Sequence, residues 1–126
     1  MTASNPAVTL KMITLDCPDP RVSGAFWAEL LGWEVAALED EYAMLTGPAG
    51  IALGLGKVAD HQPPGWPNDR GSKQFHFDLA CTDIDATRTR VVELGGTVPD
   101  DQPGDTWTVV LDPAGHPFCL TRADSW

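Results

Sequence analysis

The chain is written twice. Lys11-Met-Ile-Thr-Leu-Asp-Cys-Pro-Asp19 returns as the longer stretch Lys73-Gln-Phe-His-Phe-Asp-Leu-Ala-Cys-Thr-Asp83. Sliding the sequence by 64 residues sets Met12 on His76, Cys17 on Cys81 and Asp19 on Asp83. Leu31-Gly32 meets Leu94-Gly95 at an offset of 63, and Gly47-Pro-Ala-Gly50 meets Asp112-Pro-Ala-Gly115 at 65. A strand, a helix start, a helix stop and a last turn therefore recur in the same order. The two halves must fold alike, each as a β-α-β-β-β unit. A competing reading, an α+β domain whose halves merely alternate alike, explains the strands but not the shared caps.

Within each copy the elements follow from periodicity and punctuation. Val8–Asp16 alternates as a strand, with Ile13 and Leu15 on one face and Met12, Thr14 and Asp16 on the other. Lys73–Cys81 does the same: Phe75, Phe77 and Leu79 should meet a helix, while His76, Asp78 and Ala80 face the space the sheet encloses. Asp19-Pro20 starts a helix, because Asp accepts from the first free N–H groups and Pro suits the first helical position. Val22, Ala25, Phe26 and Leu30 form its apolar stripe and Gly32 stops it. Asp83–Leu94 is the second helix, with Ile84, Val91 and Val92 apolar and Gly95 as the stop. Short strands are predicted at Trp33–Leu38, Tyr42–Leu45 and Ile51–Leu55, and again at Thr97–Pro99, Thr106–Leu111 and Pro117–Thr121. Residues 57–72 hold three prolines and two glycines and read as a linker. The organisation is one domain over 1–126: a polar tail at 1–6, module one at 8–56, the linker, and module two at 73–122.

Composition narrows the function classes. A net charge of −10, with no cluster of Lys or Arg, argues against a nucleic-acid partner. The start of the chain has no basic segment followed by an apolar one, as a signal peptide would, and no apolar run approaches the roughly 20 residues that span a bilayer. No membrane partner is expected. Cys17, Cys81 and Cys119 are odd in number and widely spaced, so neither a disulfide framework nor a structural zinc site fits. Three reduced thiols in a cytoplasmic protein is the expectation.

Three sets of strings carry a resemblance: Leu15-Asp-Cys-Pro-Asp-Pro leading to Phe26-Trp27 and Leu30-Leu-Gly-Trp33; His76-Phe-Asp-Leu; and Asp112-Pro-Ala-Gly-His-Pro-Phe-Cys-Leu120. With the Pro64-Gly-Trp-Pro67 linker they resemble the vicinal oxygen chelate superfamily, the glyoxalase/bleomycin resistance/dioxygenase group, and in particular its short bacterial glyoxalase-like members. The likeness covers roughly residues 8–122. It implies an α+β fold in which paired βαβββ modules form curved sheets around a cup, commonly in a homodimer whose cups sometimes draw on both chains. It also implies where a metal would sit, on the first and last strands of each module. Those places here are Met12, Gly54, His76 and Cys119. Only His76 matches a usual ligand. Gly54 offers no side chain and Met12 is a poor ligand for hard ions, so no cofactor is expected. Met, His and Cys would form a soft set, compatible with Cu(I) or Zn.

The candidates follow from the cup-facing parity. His76 is a base or ligand-binding group and Asp78 its orienting carboxylate, against the plainer reading of two polar residues solvated in a wet cavity. Met12, Thr14, Asp16, Trp66, Trp107 and Cys119 are candidate ligand-binding residues. For Cys119, no cation stands near in sequence to activate the thiol, so simple packing competes. For the two tryptophans, packing competes with service as aromatic walls. Cys17 and Cys81 are expected in the core, Phe26, Trp27 and Trp33 in the core or a dimer contact, and His116 in a surface turn. His61, in the linker, carries no signal. The expectation is a cup that binds a small organic molecule, with or without transforming it, and lacks the usual metal set. A metal-dependent lyase or dioxygenase using His76 with Asp16 or Asp78 is the alternative, and an empty structural cup is a third.

Overall fold

Each copy folds with the same winding. The computed structural model describes residues 8–126, and the polar tail assigned to residues 1–6 lies outside the described residues. Strands β1 (Met12–Cys17), β2 (Glu34–Leu38), β3 (Tyr42–Thr46) and β4 (Ala52–Lys57) form one sheet in the order β1-β4-β3-β2. Strands β5 (Asp78–Cys81), β6 (Thr108–Leu111) and β7 (Pro117–Arg122) form the second, in the order β5-β7-β6. In both, the first strand runs parallel to the last. Helices α1 (Pro20–Leu31) and α2 (Ile84–Glu93) start where expected: Asp19 accepts from the Arg21 N–H and Asp83 from the Ala86 N–H. Gly32 and Gly95 then adopt the positive φ that ends the helical run.

The register makes the duplication exact in space. Thr14 lies opposite Gly54, and Asp78 lies opposite Cys119. One pair maps onto the other by the offsets found in the sequence. The two copies then differ for identifiable reasons. In the first, the Ala52 N–H donates to the Lys11 carbonyl and opens the ladder. The matching residue in the second is Pro117, which has no N–H to give. Pairing begins instead with the Cys119 N–H donating to Phe77, so the strand predicted over 73–81 is shortened to Asp78–Cys81. Residues 73–76 lie outside the ladder, and Phe75, expected against a helix, is 91% exposed. The strand predicted from Val8 likewise begins only at Met12, since β4 offers no partner before Ala52.

The strand predicted at Thr97–Pro99 survives only as a bridge between Thr97 and Leu111. Pro99 has no N–H to continue its ladder. The Gln102 amide takes the place of the missing strand edge: its Nε2 donates to the Val109 carbonyl and its Oε1 accepts from the Val109 N–H.

One apolar cluster runs through both modules. At its centre is Trp27, fully buried, with its ring against Phe26 of its own helix and against Phe77 and Phe118 of the second module. The Trp27 indole N–H donates to Asp112 Oδ2 at 2.9 Å. Asp112 is itself buried, and its Oδ1 accepts from the N–H groups of Ala114 and His116. This carboxylate thus closes the last turn of module two and receives the first helix of module one. Cys17 and Cys81 are core residues, as expected, and all three cysteines are free. Among the described residues no helix is long and apolar enough to cross a membrane.

Trp27→Phe keeps the aromatic packing and removes the donor, leaving Asp112 Oδ2 short of a partner. It should cost about 1–3 kcal/mol in urea denaturation, and Asp112→Ala, which removes three bonds, should cost more. Equal stability of Trp27→Phe and the native chain would show that the bond does not join the modules.

Candidate functional site

Alternation along β5 and register across to β7 bring three polar side chains together. Asp78 faces Cys119 on the neighbouring strand, and His76 precedes Asp78 by two residues on the same side. His76 Nε2 is 3.4 Å from Asp78 Oδ1. One donor atom from each of His76, Asp78 and Cys119 lies within 4.8 Å of the others. The imidazole and carboxylate are solvent-accessible, while the thiol is buried.

The environment fixes the state of the thiol. Burial pushes the Cys119 thiol above its ordinary pKa, the negative charge of Asp78 adds to this, and Lys73 offsets part of it. Burial and the Asp78 charge together hold the proton on sulfur. Near neutral pH Cys119 is a neutral thiol, not an activated nucleophile.

These three residues open onto a groove of about 630 Å3 on the second sheet. Its walls are Trp66 from the linker, Trp107 just before β6 and Trp126 at the C-terminus, with Lys73, Val109, Thr121 and Arg122 among the other lining residues. Two of the rings are pinned. The Trp66 N–H donates to the Asp101 carbonyl at 2.7 Å, and the Trp126 N–H to Thr121 Oγ1 at 2.9 Å. Trp107 is 38% exposed and packs its six-membered edge beside Gly104, where a Cβ would stand 3.0 Å away.

Five of the predicted site residues meet here: His76, Asp78, Cys119, Trp66 and Trp107. Met12, Thr14 and Asp16 do not. Thr14 and Asp16 line an adjoining cavity of about 380 Å3 at the seam between β1 and residues 72–77, which shares Lys73 and His76 with the groove. Met12 leans over Gly54 on the first sheet. His116, expected in a surface turn, reaches across the modules, with its Nε2 at 2.6 Å from the Asp16 carbonyl. His61 contacts the Ala114 carbonyl in the same way. Sequence reasoning passed over Lys73, Trp126 and Thr121. Thr121 was accessible to it, two residues beyond Cys119 on the same face. Lys73 was not, because it has the wrong parity for a strand that does not form there.

The four-position metal set that the resemblance implies does not fit. A Cβ on Gly54 would stand 2.7 Å from Thr14 Oγ1 and 3.1 Å from the Met12 sulfur. The place a first-module ligand would need is therefore filled by Thr14 and Met12.

The sequence profile of the glyoxalase-like domain family matches residues 12–121. The chain belongs to that family, and with it to the vicinal oxygen chelate superfamily. Solved structures agree on the fold. A glyoxalase/bleomycin resistance/dioxygenase family enzyme from Burkholderia phytofirmans superposes with a TM-score of 0.68 at 14% identity, covering 92% of this chain and 99% of that one. A glyoxalase-related enzyme from Fulvimarina pelagi gives 0.67 at 22%, covering 94% and 90%. The bleomycin-binding protein of Streptomyces verticillus, solved with copper(II)-bleomycin, gives 0.57 at 20%, covering 94% and 98%. No curated protein matches the chain.

A thiol held protonated by burial and by Asp78 should alkylate slowly with iodoacetamide at pH 8, with its rate still climbing above pH 9. Asp78→Asn removes the second cause and leaves the first, so Cys119 should react roughly three- to tenfold faster, read by peptide mass mapping. An unchanged or slower rate would show that Asp78 does not control the thiol.

Proposed function

We propose that this glyoxalase-like protein binds a small organic molecule in the groove on its second sheet, without the superfamily's usual metal set. The observation that supports this reading is the convergence on one open groove of pinned aromatic rings with His76, Asp78 and Cys119. Aromatic walls with a few fixed polar groups suit an organic ligand with a planar part. If the ligand is transformed as well as held, His76 is the proton acceptor and Asp78 orients it. The Streptomyces verticillus neighbour, which holds a bleomycin complex on a similar fold, makes sequestration of such a molecule a concrete form of this function.

A thermal-shift screen of aromatic, amphipathic and antibiotic-like compounds tests it. A ligand at 100 times its Kd adds about 2.7 kcal/mol and should raise Tm by several degrees, with the shift lost in Trp107→Ala. No response to any of these classes would overturn the reading.

A second reading, metal-dependent lyase or dioxygenase chemistry, is favoured by the donor trio of His76, Asp78 and Cys119. Elemental analysis of freshly purified protein separates the two. About one equivalent of a transition metal, lost in His76→Ala, would establish the second reading, and metal-free protein would retire it.

The proposal includes a homodimer. Register places Tyr42 and Asp16 on the same open face of the first sheet as Met12, and Met12 and Tyr42 are each about half-exposed. A second copy that covers this face should give a dimer in sedimentation, and a monomer at micromolar concentration would contradict it.

A further inference from the structure

We infer that the groove selects planar aromatic acids that also carry a hydrogen-bond donor, an assignment of ligand class that rests on the small-molecule reading above. Three of the chain's five tryptophans line this one depression. That concentration of flat, weakly hydrated surface favours a flat ligand of more than one ring. The polar groups between them then set its substituents.

The cations come first. The chain carries 18 acidic and 8 basic residues, yet the groove lining holds two cations, Lys73 and Arg122, and one carboxylate, Asp78. Arg122 is already occupied, since its Nε and Nη2 donate to both carboxylate oxygens of Asp124. Lys73 is not: among the described residues no carboxylate lies within 4.0 Å of its ammonium. Its Nζ stands 5.3 Å from the centre of the Trp66 ring. An ammonium poised over an aromatic wall pairs with an anionic group attached to a ring stacked on that wall. Elsewhere an acidic surface of net charge −10 repels anions. Lys73 therefore gives the groove its affinity for acids.

Asp78 sets the second requirement. An ionised carboxylate only accepts hydrogen bonds. It faces Cys119 and lies beside His76, and its side chain is 42% exposed toward the groove. A ligand approaching it must bring an N–H or O–H. The ligand class is thus an aromatic carboxylate with a phenol, amine or ring N–H away from the acid.

Three bicyclic probes dissect the claim by isothermal titration: 6-hydroxy-2-naphthoate, 2-naphthoate lacking the donor, and 6-hydroxy-2-naphthamide lacking the charge. The hydroxy-acid should bind tightest, with each deletion weakening it about tenfold. Lys73→Met should erase the advantage of the acid over the amide, and Lys73→Arg should keep it. Asp78→Ala, which removes the acceptor, should erase the advantage of the hydroxy-acid over 2-naphthoate. If the amide binds as well as the acid, or if Lys73→Met leaves their ratio unchanged, the class assignment fails while the groove stands as a binding site. If none of the three binds, while other organic compounds raise Tm, the class again fails alone. If nothing binds by either measure, both readings fall.

Discussion

The hydrogen bond from the Trp27 indole to Asp112 is the contact on which the two halves depend. A duplicated chain can place its modules together or apart, and the sequence of a 16-residue linker decides nothing by itself. Trp27 settles it by leaving its own module: its ring lies against Phe77 and Phe118, and its N–H reaches the carboxylate that closes the last turn of the second module. Asp112 would be costly to bury alone, and three donors satisfy it. The helix-to-helix pair of Arg90 and Glu29 is exposed and adds little.

With the modules fixed in this way, their two open sheet faces have different fates. On the first sheet, Gly54 and the side chains that crowd it leave no ligand pair. On the second, the equivalent positions carry Asp78 and Cys119 beside His76, and the loop after α2 wraps Trp107 over them. The loss of a strand at residues 97–99 matters here. Gln102 satisfies the exposed edge of β6 with its amide, which frees the following residues to form a wall instead of a sheet edge. The groove is built from the divergence between the copies, not from their likeness.

That contrast also explains what the sequence disclosed. Strand parity, Asp caps and Gly stops are local, so both helices and the pairing of Asp78 with His76 were readable from spacing. The family resemblance, and not the spacing, named Gly54 and Cys119 as matching places, and the register bears that match out. What escaped was set by partners far away in sequence. Phe75 is exposed because Pro117, more than 40 residues on, has no N–H to pair with it. Lys73 enters the groove because the segment around it is unpaired. Trp126 joins through a bond to Thr121 that no periodicity announces. The seam placement of Thr14 and Asp16, beside the groove, depends on how two edge strands approach without pairing.

The most direct test of this account is the indole N–H region of a 1H–15N spectrum, in which five tryptophans give five separate reporters. A bound ligand should move the signals of Trp66 and Trp107, with a smaller change at Trp126, and leave Trp27 and Trp33 in place. Movement centred on Trp33 or Trp27 instead would put the binding site at the module seam and contradict the assignment of the groove.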